Sequence, residues 1–173
     1  MTRHPAPSVS SALVLAAFAA AATLAFGCAS DAPAPAALKV GSRVPKVTLL
    51  DQNDVPHTID ESARVIFFAR EMEGGKVIQA LLEQEGPAYL TKNRALYVAD
   101  IHEMPSLIAK MIAIPKMRDE RPYPTLLDRD GKATAAYPSE EGRVTILKLN
   151  RLKIVAVEYR GSVAGLKEAV SKR

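Results

Sequence analysis

Residues 64–78 constrain the fold more than any other stretch: Arg-Val-Ile-Phe-Phe-Ala-Arg-Glu-Met-Glu-Gly-Gly-Lys-Val-Ile. Val65 to Ala69 is β-branched and aromatic, and apolar on both faces, as a strand covered on both sides should be. The run ends abruptly in charge and turns on Gly74-Gly75. After it, Val77, Ile78, Leu81 and Leu82 recur at i, i+1, i+4, i+5, which is one face of a helix over roughly 74–85. A buried strand that delivers a loop and a helix N-terminus is how α/β folds build sites, because free N–H groups and the positive dipole end converge there. No cysteine, serine or histidine sits in that loop.

The flanking segments extend the same alternation. Leu38 to Gln52 reads as a loop and a short strand, then a polar turn through Asn53 and Asp54, with Thr58-Ile59-Asp60 leading into the central strand. Gly86-Pro87 interrupts the helix, which re-forms near Ala88–Lys92. Ala95 to Ile101 is a second apolar strand. Pro105 starts the next helix at a position that tolerates proline, and Leu107, Ile108, Met111 and Ile112 repeat the i, i+1, i+4, i+5 spacing of a core face. Strand, helix, strand, helix within one short span predicts right-handed crossovers on a parallel core. Beyond Pro115, Pro122 and Pro124 the period changes. Val144–Leu149 and Leu152–Tyr159 flank the two-residue turn Asn150-Arg151, a hairpin signal. Gly161-Ser162 then caps a last amphipathic helix carrying Val163, Leu166 and Val170.

A parallel βαβα half joined to a β-hairpin and a terminal helix is the order of the thioredoxin-like superfamily. The expected fold is therefore α/β, with a central mixed sheet. Val40-Gly41-Ser42-Arg43-Val44-Pro45 with Leu50-Asp51-Gln52 resembles the opening of the peroxiredoxin branch, and Tyr123 to Tyr137 resembles that branch's segment ahead of the hairpin. The resemblance spans Leu38 to Lys172. It implies a peroxidatic or paired cysteine just after the central strand, where the helix dipole and nearby cations would lower its pKa. Here those positions are Arg70-Glu71-Met72-Glu73-Gly74-Gly75-Lys76. It also implies a cis-proline before the hairpin strand, where Arg143 stands, with Pro124 as the other candidate. Thiol redox chemistry is not expected of this chain.

The N-terminal residues read as an address. Arg3 supplies a basic region and Ser11 to Phe26 an apolar, alanine-rich one, too short and too weakly hydrophobic for a comfortable span. The stretch ends in Leu24-Ala25-Phe26-Gly27-Cys28, which resembles a bacterial lipoprotein signal whose cysteine is acylated. Ordinary cleavage after Ala36 is the alternative reading. Cys28 is the single cysteine of the chain. An unpaired thiol would be a liability in an oxidising compartment, and acylation gives it a use. The expected organisation is a signal peptide over 1–27, a proline- and alanine-rich tether over 28–37 and a domain over 38–173. Ala29 after Cys28, rather than aspartate, resembles the pattern for transfer to the outer membrane, with the domain in the periplasm.

The candidate binding edge is Arg70, Glu71, Met72, Glu73 and Lys76, joined by Asp100 and His102 after the neighbouring strand. These charges suit a small polar ligand or the charged tail of an envelope protein partner; one at a time they read as a solvated salt-bridge cluster. His57 and His102 with Glu71, Glu73 or Asp100 lack metal-ligand spacing. Met72, Met104, Met111 and Met117 hint at copper, although Met111 fits a core face. Chains with a similar start to this helix have been labelled flavin-containing dehydrogenases, but no GxGxxG follows either strand and no cofactor is expected. No serine sits on a nucleophile elbow. The net charge of +4 is dispersed over the chain, without an aromatic-and-basic tract for nucleic acid. The expectation is a binding or assembly module, with a non-thiol enzyme, or a protein that handles a cofactor or metal such as a copper or heme chaperone, on the Arg70–Lys76 edge as the rivals.

Overall fold

A computed structural model describes residues 35–172. The expected signal peptide and Cys28 lie outside them. Seven strands form one sheet: β1 (Val47–Leu50), β2 (Pro56–Ile59), β3 (Val65–Ala69), β4 (Ala95–Asp100), β5 (Leu126–Asp128), β6 (Val144–Asn150) and β7 (Lys153–Arg160). Their order is β2-β1-β5-β4-β3-β6-β7. β3, β4 and β5 run parallel, and the hairpins β1-β2 and β6-β7 are antiparallel. The chain steps from β3 to β4 to β5 in one direction across the sheet, so the two crossovers fall on the same face.

β3 is buried along its whole length, as its two-faced apolar composition requires. Its side chains alternate between two cores. Val65, Phe67 and Ala69 meet Ile78, Leu81 and Leu82 of α1 (Met72–Glu85), Leu90 of α2 (Ala88–Lys92), and Leu166 and Ala169 of α5 (Val163–Ser171). Ile66 and Phe68 meet Val44, Ile59, Tyr137, Leu147 and Leu152, residues of strands and loops rather than of helices. The ring of Tyr137 stands edge-on to Phe68, with centroids 5.2 Å apart. As expected, Ser162 caps α5, its hydroxyl accepting from the Gly165 N–H.

Four features differ from the sequence reading. The segments at 56–59 and 126–128 are strands: β2 folds back on β1, and β5 inserts between β1 and β4. Both are too short to show a period. The β6-β7 turn is Arg151-Leu152 rather than Asn150-Arg151, with φ of 49° and 66°. Asn150 therefore pairs with Lys153, and Leu152 is driven into the core, where its carbonyl accepts from Val44. The register then slips opposite Lys148 and Leu149, leaving Val155 as a bulge.

The third difference is the segment after β4, which is not one regular helix. It runs as a short α3 (Ser106–Ile108), a π-helical turn (Ala109–Ala113) and α4 (Ile114–Glu120). Pro115 has no N–H to return to the preceding turn, and the wider turn before it absorbs the break. The buried face is Ala109 and Ile114, with Met104 and Met117 partly covered. Leu107, Ile108, Met111 and Ile112, the expected core face, point to solvent, with Leu107 72% and Met111 69% exposed. Finally, no peptide bond among the described residues is cis, so neither Arg143 nor Pro124 marks the backbone clamp that the resemblance implies.

Among the described residues no helix is long and apolar enough to cross a membrane.

Candidate functional site: the cleft at the head of α1

The parallel register of β3 and β4 pairs Ala69 with Ala99, so the next residues, Arg70 and Asp100, emerge side by side at the C-terminal ends of both strands. Arg70 Nε donates to Asp100 Oδ2 at 3.3 Å, and its terminal nitrogens donate to the Thr134 carbonyl (3.0 Å) and the Ser139 hydroxyl (3.1 Å). The guanidinium also lies 5.4 Å from the Phe68 ring centroid.

Asp100, only 1% exposed at its side chain, anchors a wider network. Its Oδ1 accepts from the His102 backbone N–H (3.1 Å) and from His102 Nδ1 (2.7 Å). Its Oδ2 lies 3.0 Å from the Thr134 hydroxyl, which is also 2.8 Å from Asp128 Oδ2. A hydroxyl has one proton to give, so Thr134 shares it between two buried carboxylates. Asp128 is satisfied further by the N–H groups of Thr134 (2.7 Å) and Gly131 (3.0 Å). Gly131, at φ 72°, lies so close beneath the imidazole that a Cβ would come 2.7 Å from it. The hydrogen bond that His102 donates to Asp100, opposed in part by burial, raises the His102 pKa above its ordinary value.

Next to this network, a cleft of about 330 Å³ opens between the first turns of α1 and the π turn and α4. Arg70, Glu71, Met72, Lys76 and Asp100 line it; Glu73 and His102 do not. Glu71 turns aside to accept from the Gly142 N–H (2.8 Å), and Glu73 is an exposed residue of the first turn. Met104 and Met117 join Met72 on the wall, whereas Met111 faces away. His102 is thus not among the residues that line the cleft with those thioethers. His57 is elsewhere, its Nε2 2.9 Å from Asp51 Oδ2. No group of three or more His, Cys, Asp or Glu that could hold a metal ion occurs among the described residues.

Sequence reasoning did not identify Tyr97, Arg121, Lys116 and Glu120, which complete the cleft. Tyr97 reads in sequence as one more apolar strand residue, yet its hydroxyl reaches the first turns of α1 and would stand 3.3 Å from a Cβ on Gly75. Arg121 lies over the Tyr97 ring, 5.8 Å from its centroid. Burial raises the pKa of Tyr97, so the hydroxyl keeps its proton and remains a donor. Gly74 is required for a different reason: a Cβ there would lie 2.9 Å from the Arg143 carbonyl oxygen, so α1 meets the segment before β6 only through a glycine. The loop from β3 to α1 therefore carries glycine and charge where the resemblance implies a thiol, and residues 35–172 contain no cysteine at all.

The sheet order, the parallel strands β3 and β4 and the terminal hairpin and helix define a thioredoxin-like α/β fold. Solved structures similar to this chain agree. Peroxidoxin BcpB from Mycobacterium tuberculosis is 22% identical, with a TM-score of 0.50 over 78% of this chain and 95% of its own. The thioredoxin domain of a thiol-disulfide oxidoreductase from Bacteroides vulgatus is 15% identical, with a TM-score of 0.51 over 78% and 99%. A peroxiredoxin-like protein from Aquifex aeolicus is 12% identical, with a TM-score of 0.51 over 80% and 88%. No protein-family model and no curated protein matches the sequence.

Proposed function

We propose that this chain is a binding module of the cell envelope, held at the outer membrane through an acylated Cys28, with its domain in the periplasm. In this reading the cleft at the head of α1 takes a segment of an envelope protein, and thiol chemistry has no part in it. The observation that carries the reading is a formed cleft with two glycines and no thiol at the point where the fold presents its helix N-terminus. Met72, Met104 and Met117 offer adaptable apolar walls, and Lys76, Lys116 and Arg121 line the same cleft as Tyr97. That combination suits an extended segment with an apolar side chain next to a carboxylate. The exposed Glu71 and Glu120 at the rim would repel a second acidic group and so limit the choice.

The test is made on the chain isolated from its own membranes. Intact mass should show acyl chains on an N-terminal Cys28. A photo-crosslinking side chain at position 72 should give one discrete protein adduct that disappears with Arg121→Glu, and the same probe at position 155 should give none. A chain recovered unacylated in the soluble fraction overturns the anchor. Equal adducts from both positions, or none from either, overturn the cleft as the binding edge.

A non-thiol enzyme is the second reading, and the Asp100–His102 pair is the observation that favours it. A buried carboxylate orients an imidazole that is 40% exposed at its side chain, with Nε2 turned outward. Glu103 is 4.0 Å from Nε2, and no hydroxyl or thiol among the described residues hydrogen-bonds it. The hydrogen bond to Asp100 raises the His102 pKa, so the imidazole holds its proton to higher pH than a free one. Activity lost in His102→Gln but kept in Arg121→Glu would establish this reading over the first.

A further inference from the structure

At the opposite end of β3 and β4 a second cavity, of about 610 Å³, has a different chemistry from the cleft. Val65, Leu149, Val155 and Val170 form its apolar part, and Arg64, Lys92, Arg94, Lys148 and Lys172 surround them. Among the described residues no carboxylate lines it. Among the described residues, carboxylate partners occur at Lys148, which pairs with Glu158 at 2.8 Å, and at Lys172, which pairs with Glu168. Arg64 spends one nitrogen on the Asn150 side chain at 3.4 Å, and neither Lys92 nor Arg94 has an ion pair among the described residues. Cations brought together without counter-charges repel one another, and an arriving anion relieves that repulsion.

Two backbone irregularities converge on the same cavity. Arg94 follows α2 in the left-handed region, at φ 49°, a conformation that glycine or asparagine adopts at less cost. Its carbonyl accepts from both Arg64 (2.8 Å) and Val65 (3.4 Å), which locks the turn to the start of β3. The chain thus keeps a strained arginine on the cavity rim, although the turn itself asks only for a small residue. The second irregularity is the bulge of β7, whose extra residue is Val155. It is half exposed and forms part of the apolar lining. A cation and an apolar side chain thus line the cavity at two irregular points of the backbone.

From this pairing of an uncompensated cationic rim with an apolar lining we propose that the cavity binds an anionic amphiphile: a phosphate head held by Arg64, Lys92 and Arg94, with an alkyl chain against Val65, Leu149, Val155 and Val170. The volume falls in the range of small-molecule sites and matches one chain rather than a folded partner. The site is independent of the cleft, from which β3 and β4 separate it.

The full chain is titrated with decyl phosphate below its micelle concentration, and with inorganic phosphate, following backbone amide shifts. Decyl phosphate should bind at least tenfold more tightly than inorganic phosphate and shift the amides of residues 92–94, 148–149 and 155. Arg94→Gly relieves the left-handed strain while removing a cation. It should leave the Tm equal or higher yet weaken decyl phosphate at least tenfold, and Lys92→Glu should weaken it likewise. Equal affinity for both phosphates would reduce the site to a counter-ion patch and overturn the proposal, as would binding indifferent to both substitutions. Phosphatidylglycerol vesicles, against phosphatidylcholine vesicles as the blank, identify the source. Competition with decyl phosphate supports the site and assigns it a bilayer lipid; retention of decyl phosphate supports the site and assigns it a free amphiphile.

Discussion

His102 Nδ1 donates to Asp100 Oδ1 at 2.7 Å, and the other oxygen of that carboxylate receives Arg70 and faces Thr134. One buried carboxylate thereby ties the end of β3, the end of β4 and the loop after β5 to a single point.

The first prediction is a pH dependence. The His102 pKa is raised in the fold above its ordinary 6.5. Its charged contribution is therefore fully present below the unfolded value and is lost as pH rises through the folded one. The imidazole is partly exposed, so the contribution is under about 1 kcal/mol after solvent screening. The difference in Tm between the native chain and His102→Gln should be larger at pH 5.5 than at pH 8.5. An equal difference at both pH values would show that the pair carries no linked proton.

Asp51 works in the opposite direction. Burial pushes its carboxyl up, but the N–H groups of Val55 and Asn53 and the His57 ring outweigh it and hold the pKa below the usual value. Stability from this group is present above the unfolded value and is lost as pH falls through the depressed folded one. Asp51→Asn should destabilise by about 1–3 kcal/mol at neutral pH. In urea denaturation its gap to the native chain should shrink on acidification below about pH 4.

Thr134 gives a test of the shared proton. Thr134→Val keeps shape and volume but leaves Asp100 and Asp128 without their common donor, and should cost about 1–3 kcal/mol. Thr134→Ser should recover most of that loss. A valine variant as stable as the serine one would refute the bridging role.

The two glycines of α1 should respond differently to alanine. Gly74→Ala drives a Cβ against the Arg143 backbone, which cannot swing away, and should destabilise by about 1–3 kcal/mol. Gly75→Ala meets only the Tyr97 hydroxyl at 3.3 Å. The gain in helix propensity, about 1 kcal/mol, should leave that variant near neutral.

The segment after β4 can be checked through its faces. Ile112→Gln, on the exposed face, should change stability by less than about 0.5 kcal/mol. Ile114→Ala, on the buried face, should cost about 2–5 kcal/mol.

That last pair also shows where the sequence could be read and where it could not. β3 and α2 were legible because a two-faced apolar run and a Gly-Pro break are local signals. The neighbourhood of Arg70 and Asp100 followed from two strands placed in parallel. The burial of Ala109 over Leu107 or Met111 did not, since Pro115 and a widened turn shift the helical phase in a way that apolar spacing does not encode. Leu152 in a left-handed turn is a tertiary decision, made by the core that receives it. Tyr97 and Arg121 reach the cleft from a strand and a helix end remote from each other in sequence, and nothing local marks them as neighbours.

The sheet ends on β2 at one side and β7 at the other, and an open strand is ordinarily a template for another chain. Here Pro56 has no N–H to offer at the start of β2, residues 41–44 already hydrogen-bond the start of β7, and the bulge at Val155 interrupts its register. Copies of this protein crowded together should therefore resist growing into a continuous ribbon. Val155 would then serve twice, lining a cavity and ending a sheet.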